Sequence, residues 1–212
     1  RTNVEVTEPF WFRDEFGEND AGRWNSGAGV THAYEPGDGS KVLRMNTTTY
    51  STTLQTCKFE PETITFDWKP VALDGGGNYC IGAVGFCLQK KYSPSQILTD
   101  TAIEGYAVSF SHHKSTTGLY NRIVLFKDGV IVAEKPSAEL LLGTQYHVEI
   151  NFNPDATSDV ISIYVWADGS SKPATPSVSS GSMVSTYTTG YFGFGIVLQN
   201  APASDHYFDN LQ

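Results

Sequence analysis

The chain has 212 residues, 40% of them hydrophobic and 17% charged, which suits one large ordered domain with its own core and excludes a disordered tail. Its formal charge is −9 and its 14 Lys and Arg are scattered, so its field repels phosphate backbones and anionic lipid, and nucleic acid and membrane surfaces are poor partners. No apolar run approaches the ~20 residues needed to cross a bilayer, so membrane insertion is not expected; the opening Arg1-Thr2-Asn3 lacks the basic-then-apolar pattern of a secretion signal, so either a signal was removed or none existed.

Residues 1–9 alternate Val4 and Val6 among polar residues before Glu8-Pro9, and are expected to form an N-terminal extension or an added strand ahead of a single domain over 10–212. Phe10, Phe12 and Phe16 then predict a strand over 10–16, followed by a turn cluster leading to Trp24. Short strands are expected at 30–34, 41–46 and 52–59. Residues 62–70 alternate strictly, with Ile64, Phe66 and Trp68 on one face and Thr63, Thr65, Asp67 and Lys69 on the other. Residues 78–88 are apolar almost throughout, with Gly82 and Gly85 marking a bulge or a close backbone approach in a central strand.

A long loop follows over 90–105, in which 93–96 are expected to make one helical turn. Strands are predicted at 105–112, 121–127 and 129–135, the last two joined by a tight Asp128-Gly129 hairpin. Residues 136–143 carry a Ser cap, helix formers and a closing Gly, which predict one short helix. Four strands close the chain at 145–152, 159–166, 190–199 and 205–211, and their spacers are too short or too rich in Gly, Ser and Pro for a helix. The expected fold is all-β, an antiparallel β-sandwich.

Of the three cysteines, Cys80 and Cys87 share a predicted strand and lie too far apart to bridge. Either Cys57 bridges to one of them from a neighbouring strand, or the thiols are free and buried. Asp67 stands alone between Phe66 and Trp68, and Glu149 between Val148 and Ile150, so each is expected to be a solvated residue on its strand's outer face. Adjacent His112 and His113 point to opposite faces of an extended chain and are expected to be surface histidines. The sequence holds no zinc spacing, nucleophile elbow, phosphate loop or dinucleotide fingerprint.

Several segments recur in one order: Phe12-Arg13-Asp14-Glu15-Phe16, Thr65-Phe66-Asp67-Trp68-Lys69, Gly105-Tyr106-Ala107-Val108-Ser109-Phe110, Ile161-Ser162-Ile163-Tyr164-Val165, Gly190-Tyr191-Phe192-Gly193-Phe194-Gly195 and Tyr207-Phe208-Asp209-Asn210-Leu211. In that order the chain resembles the concanavalin A-like lectin/glucanase superfamily in its LamG-like branches, from Phe10 nearly to the end. The resemblance implies a jelly roll of two antiparallel sheets with the first and last strands side by side. It also implies a structural calcium ion near the chain ends, for which Asp14, Glu15, Asp20 and Asp209 supply hard oxygen ligands. Enzymes of that superfamily carry paired carboxylates in a Glu-x-Asp-x-x-Glu run, or an Arg-rich strand together with a Gln-x-His strand; neither the carboxylate run nor the Arg-rich strand occurs here, and Gln145-Tyr146-His147 matches Gln-x-His without that partner strand.

The sequence therefore points to a non-catalytic, secreted or cell-surface module acting in adhesion, with a glycan or polysaccharide as its partner. Trp24, Tyr50, Tyr79, Tyr92 and Tyr120 are the candidate stacking rings and Asn121 a candidate hydroxyl-binding amide, because all fall in or beside predicted loops. Trp68 and Trp166 are expected to fill the core. A second reading is a self-assembling structural subunit that donates Val4 and Val6 as a strand to a neighbouring copy. Polysaccharide degradation is a third reading. Asn46-Thr47-Thr48 is a glycosylation sequon.

Overall fold

The computed structural model describes residues 16, 23–36, 41–47, 50–73, 79–93, 97–113, 121–136, 138, 140–158, 160–184, 187–199 and 204–212. Within them the chain forms β1 (Trp24–Ser26), β2 (Val30–Tyr34), β3 (Val42–Thr47), β4 (Tyr50–Phe59), β5 (Thr63–Leu73), β6 (Tyr79–Leu88) and β7 (Tyr106–His113). It continues through β8 (Arg122–Lys127), β9 (Val130–Lys135), β10 (Tyr146–Phe152), β11 (Ile161–Ala167), β12 (Val178–Ser179), β13 (Gly190–Gln199) and β14 (Ser204–Asp209). Two seven-stranded sheets result, one ordered β1-β4-β13-β6-β7-β8-β9 and the other β12-β11-β10-β5-β14-β3-β2. Every described pairing is antiparallel. The architecture is the β-sandwich that the strand periodicity predicts.

Two local expectations fail, and a third falls almost wholly outside the described residues. Of the strand predicted over 10–16 only Phe16 is described, and it sits in a bend at φ 49°. Residues 136–143 are not helical among the described positions, because their amide hydrogens are drawn to distant partners. Leu141 N donates to the Tyr146 hydroxyl at 2.6 Å and Gly143 N to the Pro70 carbonyl at 2.6 Å, which leaves no ladder of bonds four residues back. Finally, β14 is flanked on both sides by β3 and β5, so no first strand can lie beside it. The Asp128-Gly129 hairpin forms as expected, with φ of 52° and 69° at its two turn residues.

Inward side chains of both sheets meet in one aromatic core. Phe194 of the first sheet stacks on Phe208 of the second at 4.4 Å between ring centroids and meets Phe66 edge-on at 5.3 Å. Trp68 and His206, both wholly buried, are joined by a hydrogen bond from Trp68 Nε1 to His206 Nδ1 at 3.0 Å. Gly82 of the facing sheet passes directly above this pair. Cys87 is a buried free thiol, and burial, with Glu60 nearby, pushes its pKa up to about 12. Cys57 and Cys80 lie in strands on either side of β13 and toward its opposite ends, beyond disulfide reach.

A smaller cluster lies on the outer face of the first sheet. There Tyr92, Leu98 and Ile103 of the long loop pack down on Leu54, Ala83, Leu88 and Ala107. The Tyr92 hydroxyl accepts the Glu104 amide hydrogen at 2.6 Å and fastens the loop to itself.

Gly82 yields a direct test of the core. A Cβ there would stand 2.8 Å from Trp68 Nε1 and 2.9 Å from His206 Nδ1. Replacing Gly82 with Ala should therefore disturb the buried pair and lower unfolding free energy by about 1–3 kcal/mol, measured by urea denaturation. An unchanged midpoint would contradict this packing.

Candidate functional site

The alternation that turns Ile64, Phe66 and Trp68 of β5 inward turns Thr65, Asp67 and Lys69 outward. In β10, Tyr146, Val148, Ile150 and Phe152 are buried and His147, Glu149 and Asn151 face out; in β11, Ile161 and Ile163 are buried and Ser162, Tyr164 and Trp166 face out. Antiparallel register lines these outward residues up in rungs. One rung runs Asp209, Asp67, His147, Trp166, and the next runs Thr65, Glu149, Tyr164.

The first rung is tightly bonded. His147 Nδ1 lies 2.6 Å from Asp67 Oδ1 and its Nε2 lies 3.1 Å from Asp168 Oδ1. The second Asp67 oxygen accepts Asn210 Nδ2 at 2.8 Å and Gln145 Nε2 at 3.2 Å. The Trp166 ring lies against the imidazole, with centroids 5.4 Å apart at 38°. In the next rung Glu149 accepts Asn151 Nδ2 at 2.8 Å and Lys172 Nζ at 2.7 Å, and Lys172 Nζ sits 4.3 Å from the Tyr164 ring centroid. A shallow depression of about 190 Å³ opens beside Asp67, bordered by Gln145, Tyr207 and Asp209.

Burial alone would lower the pKa of His147, but the hydrogen bonds and negative charges of Asp67 and Asp168 outweigh it and raise the value above the ordinary 6.5. When protonated, the imidazolium donates from both nitrogens and is fixed between two carboxylates. Outward the patch offers carboxylate acceptors, amide donors and half-exposed aromatic rings. That combination can stack on a flat apolar ring and bind the hydroxyls around it.

This is not the set of residues that loop position singled out. Trp24 is 3% exposed and packs against Phe16, Phe192 and Phe194, so it is core and not a stacking platform. Tyr92 is 9% exposed, beneath its own loop. Asn121 ties the chain together by donating Nδ2 to the Leu140 carbonyl at 3.3 Å. Tyr50 and Tyr79 open β4 and β6, but their side chains lie outside the described residues, as do Tyr120, Val4, Val6, Asp14, Glu15 and Asp20 in full. Asn46 donates its side-chain amide to Asp205, which Arg44 also grips through two bonds of 3.1 Å, so the sequon nitrogen is already engaged.

Asp209 accepts the Asn210 amide hydrogen at 2.8 Å. Among the described residues no three His, Cys, Asp or Glu side chains are grouped to hold a metal ion, and Asp14, Glu15 and Asp20 of the expected calcium set lie outside them. The expected core role of Trp166 is corrected by its outward, half-buried position. Asp67 and Glu149 do face outward, but each is bonded and largely covered instead of freely solvated. The signal for His147, Tyr164 and Trp166 was present as the strict alternation of 146–152 and 161–167.

No family model matches the sequence, and no curated protein does. Solved structures do match. The chain is similar to a Bacillus subtilis protein of unknown function with a galectin-like fold (14% identity, 94% of this chain and 93% of that one, TM-score 0.63). It is also similar to the exoplasmic/lumenal domain of VIP36 bound to Ca2+ and Man3GlcNAc (10% identity, 90% and 85%, TM-score 0.61). A third likeness is to the carbohydrate-binding module CBM66 of Bacillus subtilis (16% identity, 89% and 92%, TM-score 0.51). At such identities the likeness establishes the fold, a concanavalin A-like jelly roll.

The His147 geometry predicts its titration. A folded-state pKa above 6.5 means that the stabilisation from this residue is full below pH 6.5 and is lost as pH rises through the raised value. Ring-proton NMR should give His147 a pKa above 6.5, and Asp67→Asn should bring it down. A wild-type value below 6.5 would contradict the bracketing.

Proposed function

We propose that this chain is a non-catalytic carbohydrate-binding module, secreted or displayed at a cell surface and working in adhesion, which takes its glycan on the outer face of β10 and β11. The observation that carries this reading is the rung of Trp166, His147 and Asp67, closed by Asp168: a half-exposed indole beside fixed carboxylates and amides. Trp166 stacks on a pyranose face, and Asp67, Asp168, Asn210 and Gln145 bind its hydroxyls. The glycan-bound and carbohydrate-binding neighbours of the same fold support it. Both nitrogens of His147 are taken by carboxylates, so the imidazole has no free position from which to activate a hydroxyl nucleophile. That favours binding over catalysis.

Replacing Trp166 with Ala should weaken glycan binding by about 1 kcal/mol or more, roughly fivefold, with the melting temperature nearly unchanged. Titration of the wild type and the variant against the best ligand from a glycan array measures it. An array on which the wild type binds nothing would end this reading.

One observation supports self-assembly as a second reading. Strand β9 ends its sheet and exposes Val130, Ile131 and Val132 by 60%, 49% and 37%, which makes it a fitting acceptor for a strand donated from residues 1–9 of another copy. Under that reading, deleting residues 1–9 abolishes concentration-dependent oligomers in sedimentation and leaves a folded monomer. A full-length chain that stays monomeric at high concentration contradicts it.

A further inference from the structure

A different constellation lies on the outer face of the other sheet. Tyr191, near the start of β13, is half-buried at the rim of the cluster formed by Leu54, Leu88 and Tyr92. Register places Lys58 of β4 on one side of it and Leu88 of β6 on the other. Lys58 Nζ lies 5.4 Å from the Tyr191 ring centroid, and Lys91 Nζ, arriving from the loop after β6, lies 5.5 Å from it. Both lysines are exposed. Neither forms an ion pair with a described carboxylate, whereas Lys90, next to Lys91 in the chain, is bonded to Glu104.

The chain carries a formal charge of −9, with 23 acidic side chains, yet these two lysines have no described carboxylate partner. Glu104, the carboxylate on the loop beside Lys91, holds Lys90. Attraction to the ring face orients each lysine stem, so the two charges are held at a fixed aromatic base. The base is itself rigid, because Gln89 Nε2 bridges the Cys87 and Thr189 carbonyls at 2.8 Å each, just beside Tyr191.

We propose that Lys58, Tyr191 and Lys91 form a subsite for an anionic sugar, a pyranose bearing a carboxylate or a sulfate. The anion bridges the two ammonium groups, and the apolar face of the sugar lies along the Tyr191 ring and the rim beside it. Lysines act as point charges that accept a carboxylate or a sulfate alike, so the shared chemistry is the anion on a flat ring. The subsite rests on the carbohydrate reading for the nature of the ring it takes, but it lies on the opposite sheet from Trp166 and is tested apart from it.

The test is calorimetric titration of the full chain with a galacturonate oligomer, a sulfated galactose oligomer and a neutral galactose oligomer, at low and high salt. The acidic oligomers, or one of them, should bind more tightly than the neutral one, and salt should weaken that preference. Lys58→Ala with Lys91→Ala should cost at least about tenfold in acidic binding, Tyr191→Ala a similar loss, and Lys→Arg at both positions should largely restore it. Trp166→Ala should leave acidic binding at this subsite intact. The subsite is overturned by equal binding of neutral and acidic oligomers, or by a double lysine variant that loses nothing. If acidic binding is instead lost on Trp166→Ala, the anion is taken on the β10–β11 face and the carbohydrate reading survives without this subsite. If no oligomer binds and the glycan array is also blank, both fall together.

Discussion

The contact of Phe194 with Phe208 and Phe66 joins two sheets that share no backbone ladder in this region, so side-chain packing alone sets their spacing. Everything outward depends on it. Once Phe66, Trp68 and Phe208 are committed inward, the two-residue repeat of a strand leaves Asp67 and Asp209 no choice but to face solvent, side by side in register. The same commitment in β10 and β11 sends His147 and Trp166 out on the same rung. The polar face is thus the reverse side of the aromatic core, and a one-residue slip in β5 would exchange them.

The strands of the second sheet were legible because their alternation is long and unbroken; β5 and β10 could be read residue by residue. The Asp128-Gly129 hairpin was legible because its chemistry is local. What misled was also local. Ser137 and Gly143 frame 136–143 like a helix, but the amides of Leu141 and Gly143 are claimed by Tyr146 and Pro70, partners that no window of eight residues contains. Strands β1 and β12 are too short to show a period.

The site was misplaced for a related reason. Nearness to a turn is not exposure: Trp24 and Tyr92 show that a residue beside a loop can lie under it. Trp166 shows the converse: a tryptophan in a strand was assigned to the core by habit of composition, although Ile161 and Ile163 already fixed the parity that turns it out. The carboxylates on both nitrogens of His147 are a tertiary fact. They come from β5 and from the turn after β11, and nothing in the sequence links them.

The two outer faces have been treated oppositely by the fold. On the first sheet the loop carrying Leu98 and Ile103 packs over the middle, with Tyr191 at its margin; on the second, His147, Tyr164 and Trp166 remain partly exposed among the described residues. The lone described thiol adds a different consequence. Cys87 is packed in the core, unbridged and held as the neutral SH far above any physiological pH. It offers oxidants and disulfide exchange almost no thiolate, and its contribution is that of a small apolar side chain. The core around this thiol therefore takes no redox-dependent link from it, and is held there by ring packing that is the same in a reducing or an oxidising medium.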